Sequence, residues 1–332
     1  MNSSQPHIPV LRDRCLELLR PALTPGPATV IDATLGAGGH TAALLSAFEN
    51  ITVIGIDRDP AALKLAEERI GQMGPGAAER FIPVHATYDE IPAALATVNR
   101  STVEGVLFDL GVSSMQLDDA QRGFSYAKAA PLDMRMDATD SRQATAADIL
   151  ATANERELVR IMRSYGEEKF APHIARAIVR QRATSPITTS EELVSLIRDT
   201  IPGAARRTGG NPAKRTFQAL RVAVNSELEV LQRAIPAAIA ALAVGGRIVA
   251  MSYQSLEDRI VKQSFASGSE INAPPDMPVV RPDQQPYLKL LTRGAERATE
   301  VEIEENPRAK PVRLRAVERV RPTPVSRLGG VK

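Results

Sequence analysis

The sequence predicts an α/β fold: an open, largely parallel sheet covered by helices on both faces and interrupted by a helical insertion after its fourth strand. Three observations carry this. Before Asp118, four short apolar runs alternate with helical patterns. From about Asp118 to Gly210 helical patterns continue without a strand. Beyond Gly210 the alternation resumes. Runs that are apolar throughout, rather than at every second residue, suit parallel strands buried on both faces.

In chain order, Val30-Ile31-Asp32-Ala33 reads as the first strand and leads into Gly36-Ala37-Gly38-Gly39-His40. A helical segment follows, with Ala42, Leu44, Leu45 and Phe48 apolar. Thr52 to Asp57 is a second buried strand. Asp59-Pro60 opens the next helix, because proline suits a first helical turn. Its apolar positions are Leu63, Leu65, Ala66 and Ile70. Phe81 to His85 and Val103 to Leu110 read as strands three and four. Within the interruption, Glu155–Ser164, Phe170–Arg182 and Ser190–Asp199 have helical spacing. Thr188-Thr189-Ser190-Glu191-Glu192 supplies a hydroxyl cap and first-turn acids. Arg206 to Pro212 reads as a loop, and Phe217 to Ala234 as one long helix. Gly245-Gly246 precede a fifth strand, Arg247–Ser252. Residues 268–286 hold five prolines and read as an extended loop, before a final strand pair at Leu288–Thr292 and Val312–Glu318. No internal repeat is visible.

A chain of 332 residues suggests two domains, or one large domain carrying an insertion. With 41 Lys plus Arg against 39 Asp plus Glu, the net charge of +2 excludes histone-like binding through bulk charge. A hydrophobic content of 43% argues against disorder. The single cysteine, Cys15, rules out an intrachain disulfide framework and a cysteine zinc cluster, and fits a reducing compartment. Met1–Val10 has no apolar run of signal-peptide length. The longest apolar stretch, Ala234–Val244, is about half a membrane span and contains Pro236. The expectation is a soluble cytoplasmic protein.

Glycines after a first strand serve either a tight strand-to-helix turn or the close approach of backbone to a ligand. Asp57, about 20 residues on, stands where an acid can accept hydrogen bonds from ribose hydroxyls. The pair favours a nucleoside cofactor. The third glycine of a dinucleotide loop would fall on Thr41, and no Gly-Lys-Ser/Thr is present. Instead Asp32-Ala33-Thr34-Leu35-Gly36-Ala37-Gly38 looks like the D-x-G-x-G-x-G motif of S-adenosylmethionine-dependent methyltransferases, with Thr34 at the first glycine. A carboxylate suits a cationic sulfonium and would repel a pyrophosphate. Asp32 also reads as a turn or helix-cap acid. Asp109 ends the fourth strand, on the rim of the sheet expected for Gly36 and Asp57. Amino-group methyltransferases often carry Asp-Pro-Pro-Tyr there; here only the carboxylate is present.

Longer stretches resemble one family closely, the bacterial small-subunit rRNA cytosine-N4 methyltransferases (RsmH, or MraW). They are His7–Leu11, Asp32–His40, Asp109–Ser114, Gln116–Asp118, Arg122–Ser125, Pro131–Asp137 and Tyr165–Phe170, followed by Arg215–Arg221, Val224–Leu228 and Ser255–Arg259. The resemblance spans roughly residues 7–320. It implies a Rossmann-like class I S-adenosylmethionine-dependent methyltransferase core, residues 1–117 and 211–332, with residues 118–210 as an inserted helical substrate-binding domain. It implies methylation of the exocyclic N4 of a cytidine in the decoding region of 16S rRNA, on the small ribosomal subunit. Cofactor contacts carried over by motif fall on Gly38, Gly39, His40, Asp57, Tyr88, Asp109 and Gln116, with Asp109 also catalytic. His40 reads better as a packing or hydrogen-bonding residue than as a general base, since methyl transfer from a sulfonium needs little proton help. The family's Phe-His-Ser-Leu-Glu-Asp-Arg reads Tyr253-Gln254-Ser255-Leu256-Glu257-Asp258-Arg259 here, Asn211 replaces a histidine, and Met115 stands where proline is usual.

An RNA substrate needs a basic surface. Ser141–Arg215 carries 13 Lys plus Arg against 8 Asp plus Glu, and Arg281–Lys332 carries 12 against 7. Arg206, Arg207, Lys214 and Arg215 are the preferred phosphate contacts, against the alternative of an ordinary solvated face. Two other functions stay open at this point: a dehydrogenase with a degenerate glycine loop, and a non-catalytic ribosome-assembly factor that kept the fold.

Overall fold

The apolar runs pair as one seven-stranded sheet, made of β1 (Ala28–Asp32), β2 (Ile51–Asp57), β3 (Phe81–His85), β4 (Val103–Asp109), β5 (Leu242–Ser252), β6 (Leu288–Leu290) and β7 (Arg313–Arg319). The spatial order is β3-β2-β1-β4-β5-β7-β6. β1 to β5 are parallel, while β7 runs antiparallel to both β5 and β6. The structure is a computed structural model that describes residues 8–127, 129–203, 211–273 and 281–324. Every residue of β1 is buried, as a strand covered on both faces requires.

Among the described residues one helix precedes β1 and four fall between β1 and β4. α1 (Arg12–Leu23) was not anticipated, yet its buried Cys15, Leu18, Leu19, Ala22 and Leu23 are spaced as one helical stripe. α2 (Gly39–Ala47) follows the glycine loop. α3 (Pro60–Gly71) starts as expected, with Asp59 capping Ala61 N–H and Pro60 in the first turn. α4 (Pro75–Ala78) and α5 (Ile91–Ala96) are short. β5 begins five residues before the expected Arg247. Gly245 and Gly246 lie inside it, at an irregularity in the β4–β5 register. Gly245 has φ +87, and a Cβ on Gly246 would stand 2.9 Å from Ala243 O. The glycines therefore form a bulge rather than a turn before the strand.

The chain divides into two compact units, Met1–Gly111 with Leu228–Lys332, and Val112–Glu227. The second contains α6 (Ser114–Asp118), α7 (Ala146–Thr152), α8 (Glu155–Gly166), α9 (Ala171–Arg182), α10 (Ser190–Thr200) and α11 (Lys214–Asn225). Thr189 caps α10 in a reciprocal box with Glu192. Its core joins Leu158, Ile161, Ile174, Ile178, Leu193, Phe217 and Leu220. The boundaries expected at 118 and 210 fall instead at 112 and 227, because α11 packs on α8: a Cβ on Gly166 would stand 2.4 Å from Arg215 O. The chain then continues with α12 (Glu227–Ala241), α13 (Ser255–Ser269) and α14 (Glu300–Glu305).

The single helix expected over Phe217–Ala234 is in fact two, α11 and α12, broken at Ser226 with φ +50. The break follows buried Asn225, whose amide donates to Met134 O and Arg221 O and accepts from Met136 N–H. A helical pattern in the sequence contains no sign of that partner. Among the described residues no helix is long and apolar enough to cross a membrane.

Candidate active site

Three aspartates stand at the carboxyl ends of adjacent strands: Asp32 on β1, Asp57 on β2 and Asp109 on β4. Asp32 is 1% exposed. Its oxygens accept from Thr34 N–H at 3.3 Å and Thr41 Oγ1–H at 2.8 Å. Burial pushes its carboxyl up, against the downward pull of His40 and these two donors. The structure thus uses Asp32 to shape the loop, the turn-acid role. Thr34, standing at the motif's first glycine, accepts Asp109 N–H at 2.6 Å through its hydroxyl. That contact ties the β1 loop to the end of β4, and a glycine could not make it.

The glycine pattern is required by the protein's own packing. Gly36 has φ +51 and Gly38 φ +73, left-handed values that favour glycine. A Cβ on Gly38 would meet Ala66 Cβ of α3 at 3.0 Å, and one on Gly39 would meet Pro9 Cγ at 2.8 Å. Gly36 N–H is donated to Asp57 Oδ2 at 2.8 Å, and Asp59 N–H to Asp57 Oδ1 at 2.9 Å. Burial pushes Asp57 up to about 6 even though both backbone donors pull it down. Each of its oxygens keeps acceptor capacity for another donor.

His40 lies in the first turn of α2 and is 7% exposed. Its Nε2 stands 3.6 Å from Asp109 Oδ2, beyond hydrogen-bond distance, and has no hydrogen-bond partner among the described residues. The other oxygen, Asp109 Oδ1, accepts the Tyr253 hydroxyl at 2.6 Å. Tyr253 follows β5, and its phenol is raised well above the usual value by burial and by the Asp109 charge. Tyr253 was noted in the sequence only as a departure from a motif. Asp109 and Tyr253 are 144 positions apart, and no spacing rule connects them.

Tyr88 follows β3 and meets Phe108 edge-on, at 6.1 Å between centroids and 88°. Gln116 belongs to the helical unit, where its side-chain carbonyl accepts Ser113 N–H and completes a capping box. Gln254 donates to Glu257 Oε1 at 2.8 Å and opens α13. Asn211 accepts Ala213 N–H in the turn before α11. Arg206 and Arg207 lie outside the described residues. Lys214 and Arg215 are exposed in the first turn of α11, and Arg215 donates to Glu167 O at 2.9 Å. The structure therefore brings together Gly36, Gly38, His40, Asp57 and Asp109 in the sheet unit, with Thr34 and Tyr253 added.

This donor set fits S-adenosylmethionine. The carboxylates of Asp57 and Asp109 suit ribose hydroxyls and a cationic centre, and the orphaned Nε2 of buried His40 lies beside Asp109. A pyrophosphate would meet two carboxylates with, among the described residues, no lysine or arginine in their polar contacts.

The sequence profile of the MraW methylase family matches residues 4–320. The chain is 59% identical over 318 residues to ribosomal RNA small subunit methyltransferase H of Beutenbergia cavernae, covering 96% of this chain and 94% of that one. It is likewise 59% identical over 318 residues to the protein of the same name from Frankia alni, covering 96% of each. A solved rRNA methylase from Streptococcus thermophilus is 12% identical, with a TM-score of 0.43 over 95% of this chain and all of that one.

Proposed function

The chain belongs to the MraW methylase family, and from that premise we propose that it transfers the methyl group of S-adenosylmethionine to the exocyclic N4 of a cytidine in the decoding region of 16S rRNA. It is a methyltransferase whose cofactor is S-adenosylmethionine and whose substrate is ribosomal RNA; the base, the position and the small subunit are the finer reading. The observation that carries it is the pairing of Asp57 with the glycine loop beside an Asp109 carboxylate that has one oxygen held and the other open. The substrate would be met in the cytoplasm, on the small ribosomal subunit.

Bound S-adenosylmethionine supplies a methyl group already activated by its sulfonium. The chain's residues then have three tasks. Asp57 would accept from the ribose hydroxyls, and Tyr88 would pack against the adenine. Asp109 accepts a hydrogen bond from the cytidine amino group. That turns a lone pair otherwise delocalised into the ring toward the methyl carbon and stabilises positive charge as it builds on nitrogen. The amino proton then leaves to water or a carboxylate. The base has to be splayed out of folded RNA to reach the site.

Nucleoside mass spectrometry of 16S rRNA from cells with and without the gene tests this reading. Loss of N4-methylated cytidine supports it, and unchanged nucleosides would overturn the base and position named here. The alternative of a non-catalytic assembly factor is overturned by the family match and by relatives named as methyltransferases. That alternative rested on Gln254, which the structure engages with Glu257 at the start of α13.

Asp57→Ala should weaken cofactor binding about ten- to a hundredfold by calorimetry. The wild-type affinity should also depend on pH. Asp57 binds hydroxyls best as a carboxylate, and its pKa before binding is about 6. Binding pulls that value down, so affinity is flat above about pH 6 and falls as pH drops below it. Asp57→Asn should abolish the acid limb; an acid limb of unchanged size would assign the titration elsewhere.

RNA contacts are proposed for Arg206, Arg207, Lys214 and Arg215. Each lost phosphate contact lowers the slope of log affinity against log salt by about 0.7–0.9. Changing all four to alanine should flatten that slope by up to about three units, with cofactor binding unaltered. An unchanged slope would move the RNA surface to the basic C-terminal segment.

A further inference from the structure

We propose that Tyr253 is a positioning residue for methyl transfer: its hydroxyl holds Asp109 Oδ1 so that Oδ2 alone is presented to the amino group. This rests on the reading of Asp109 given above. The Oη–Oδ1 distance is 2.6 Å, within the range of charge-assisted bonds. Asp109 Oδ2 has no hydrogen bond among the described residues, and the Nε2 of His40 stands 3.6 Å from it. The backbone beneath is also fixed. Asp109 N–H is bound by Thr34, and Asp109 pairs with Met251 across the β4–β5 ladder. The carboxylate is thereby left with one unfilled oxygen and little freedom to rotate.

Tyr253 is itself well held. Its backbone N–H is donated to Glu257 Oε2 at 2.9 Å, and its ring faces Gly111, where a Cβ would touch Cδ2 at 3.7 Å. The ionisable groups around the pair are His40 on α2, Asp32 on β1, Cys15 on α1 and Glu257 on α13. Cys15 is itself buried and its thiol is pushed up. With its phenol raised by burial and by Asp109, Tyr253 stays a hydrogen-bond donor at any working pH. A nucleophile with a delocalised lone pair gains most from exact aim, and loss of aim costs rate without costing cofactor affinity.

Tyr253→Phe removes one hydroxyl and keeps the ring, so the fold is not at issue. Single-turnover methylation should fall about tenfold, while cofactor affinity measured by calorimetry stays within about twofold. In an Asp109→Asn background the same change should cost nothing more. Cofactor-free protein supplies a separate readout. The ultraviolet titration step that Tyr253→Phe removes should move down in Asp109→Asn, which lacks the negative neighbour. A wild-type methylation rate for Tyr253→Phe, an unmoved phenol step, or rate and cofactor affinity falling together would each overturn the assignment. A wild-type rate for Asp109→Asn would instead overturn the reading of the site on which it rests.

Discussion

Asp109→Asn should slow single-turnover methylation about a hundredfold or more, the scale seen when one preorganised electrostatic group is removed from a transition state. Asparagine is nearly isosteric with aspartate, so the packing around the site is largely preserved. It carries no charge, so it cannot stabilise the positive nitrogen that forms as the methyl moves across. Its amide is also free to flip, placing NH2 where Oδ2 now faces His40 at 3.6 Å. The Tyr253 hydroxyl, which donates to Oδ1, favours the orientation that keeps an oxygen there and turns NH2 toward the amino group. Cofactor affinity should fall much less than the rate. Rapid-quench methylation with rRNA in excess, set beside calorimetry of S-adenosylmethionine, separates the two. Equal losses would reduce Asp109 to a cofactor ligand.

Asn225→Ala should destabilise the helical unit by about 3 kcal/mol or more. The side chain is 2% exposed and makes three strong bonds: to Met134 O at 2.7 Å, to Arg221 O at 2.9 Å, and from Met136 N–H at 2.8 Å. Truncation strands buried backbone groups, each at about 1–3 kcal/mol. One of them belongs to Met134, a non-glycine residue at φ +61 that relies on its surroundings to hold that conformation. Denaturant unfolding followed by circular dichroism measures the loss. A mutant within about 0.5 kcal/mol of wild type, the range of ordinary surface changes, would mean that water replaces the amide.

Much of the fold was legible because burial leaves a pattern in the chain. Continuous apolar runs marked β1 to β4, Asp59-Pro60 and Thr189 marked helix starts, and the loss of strand signals after Asp118 marked the helical unit. α1 was not legible although its stripe is plain, because no capping side chain marks its start. The division at 112 and 227 was not legible, because α11 has the same amphipathic pattern whichever unit it packs on. Gly38 and Gly39 offered a tight turn or ligand approach in the sequence, and the contacts that exclude a side chain there, from Ala66 and Pro9, come only with the tertiary fold. Asp32 offered two roles in the sequence, and only its bonds to Thr34 and Thr41 chose between them.

By itself the sequence determined the succession of strands along the chain, the positions of Asp57 and Asp109 at strand ends, and the family motifs. Each of these is written in neighbouring residues, through periodicity, capping or local spelling. Tertiary structure alone decided that Thr34 accepts from the backbone of Asp109, that Tyr253 holds its carboxylate, and that Asn225 ends a helix which its own periodicity would continue. These contacts join residues 75 to 144 positions apart. A side-chain hydrogen bond needs its partner within about 3 Å, and which partner arrives there is settled by the register of β4 against β5 and the packing of helices, neither of which any local pattern specifies.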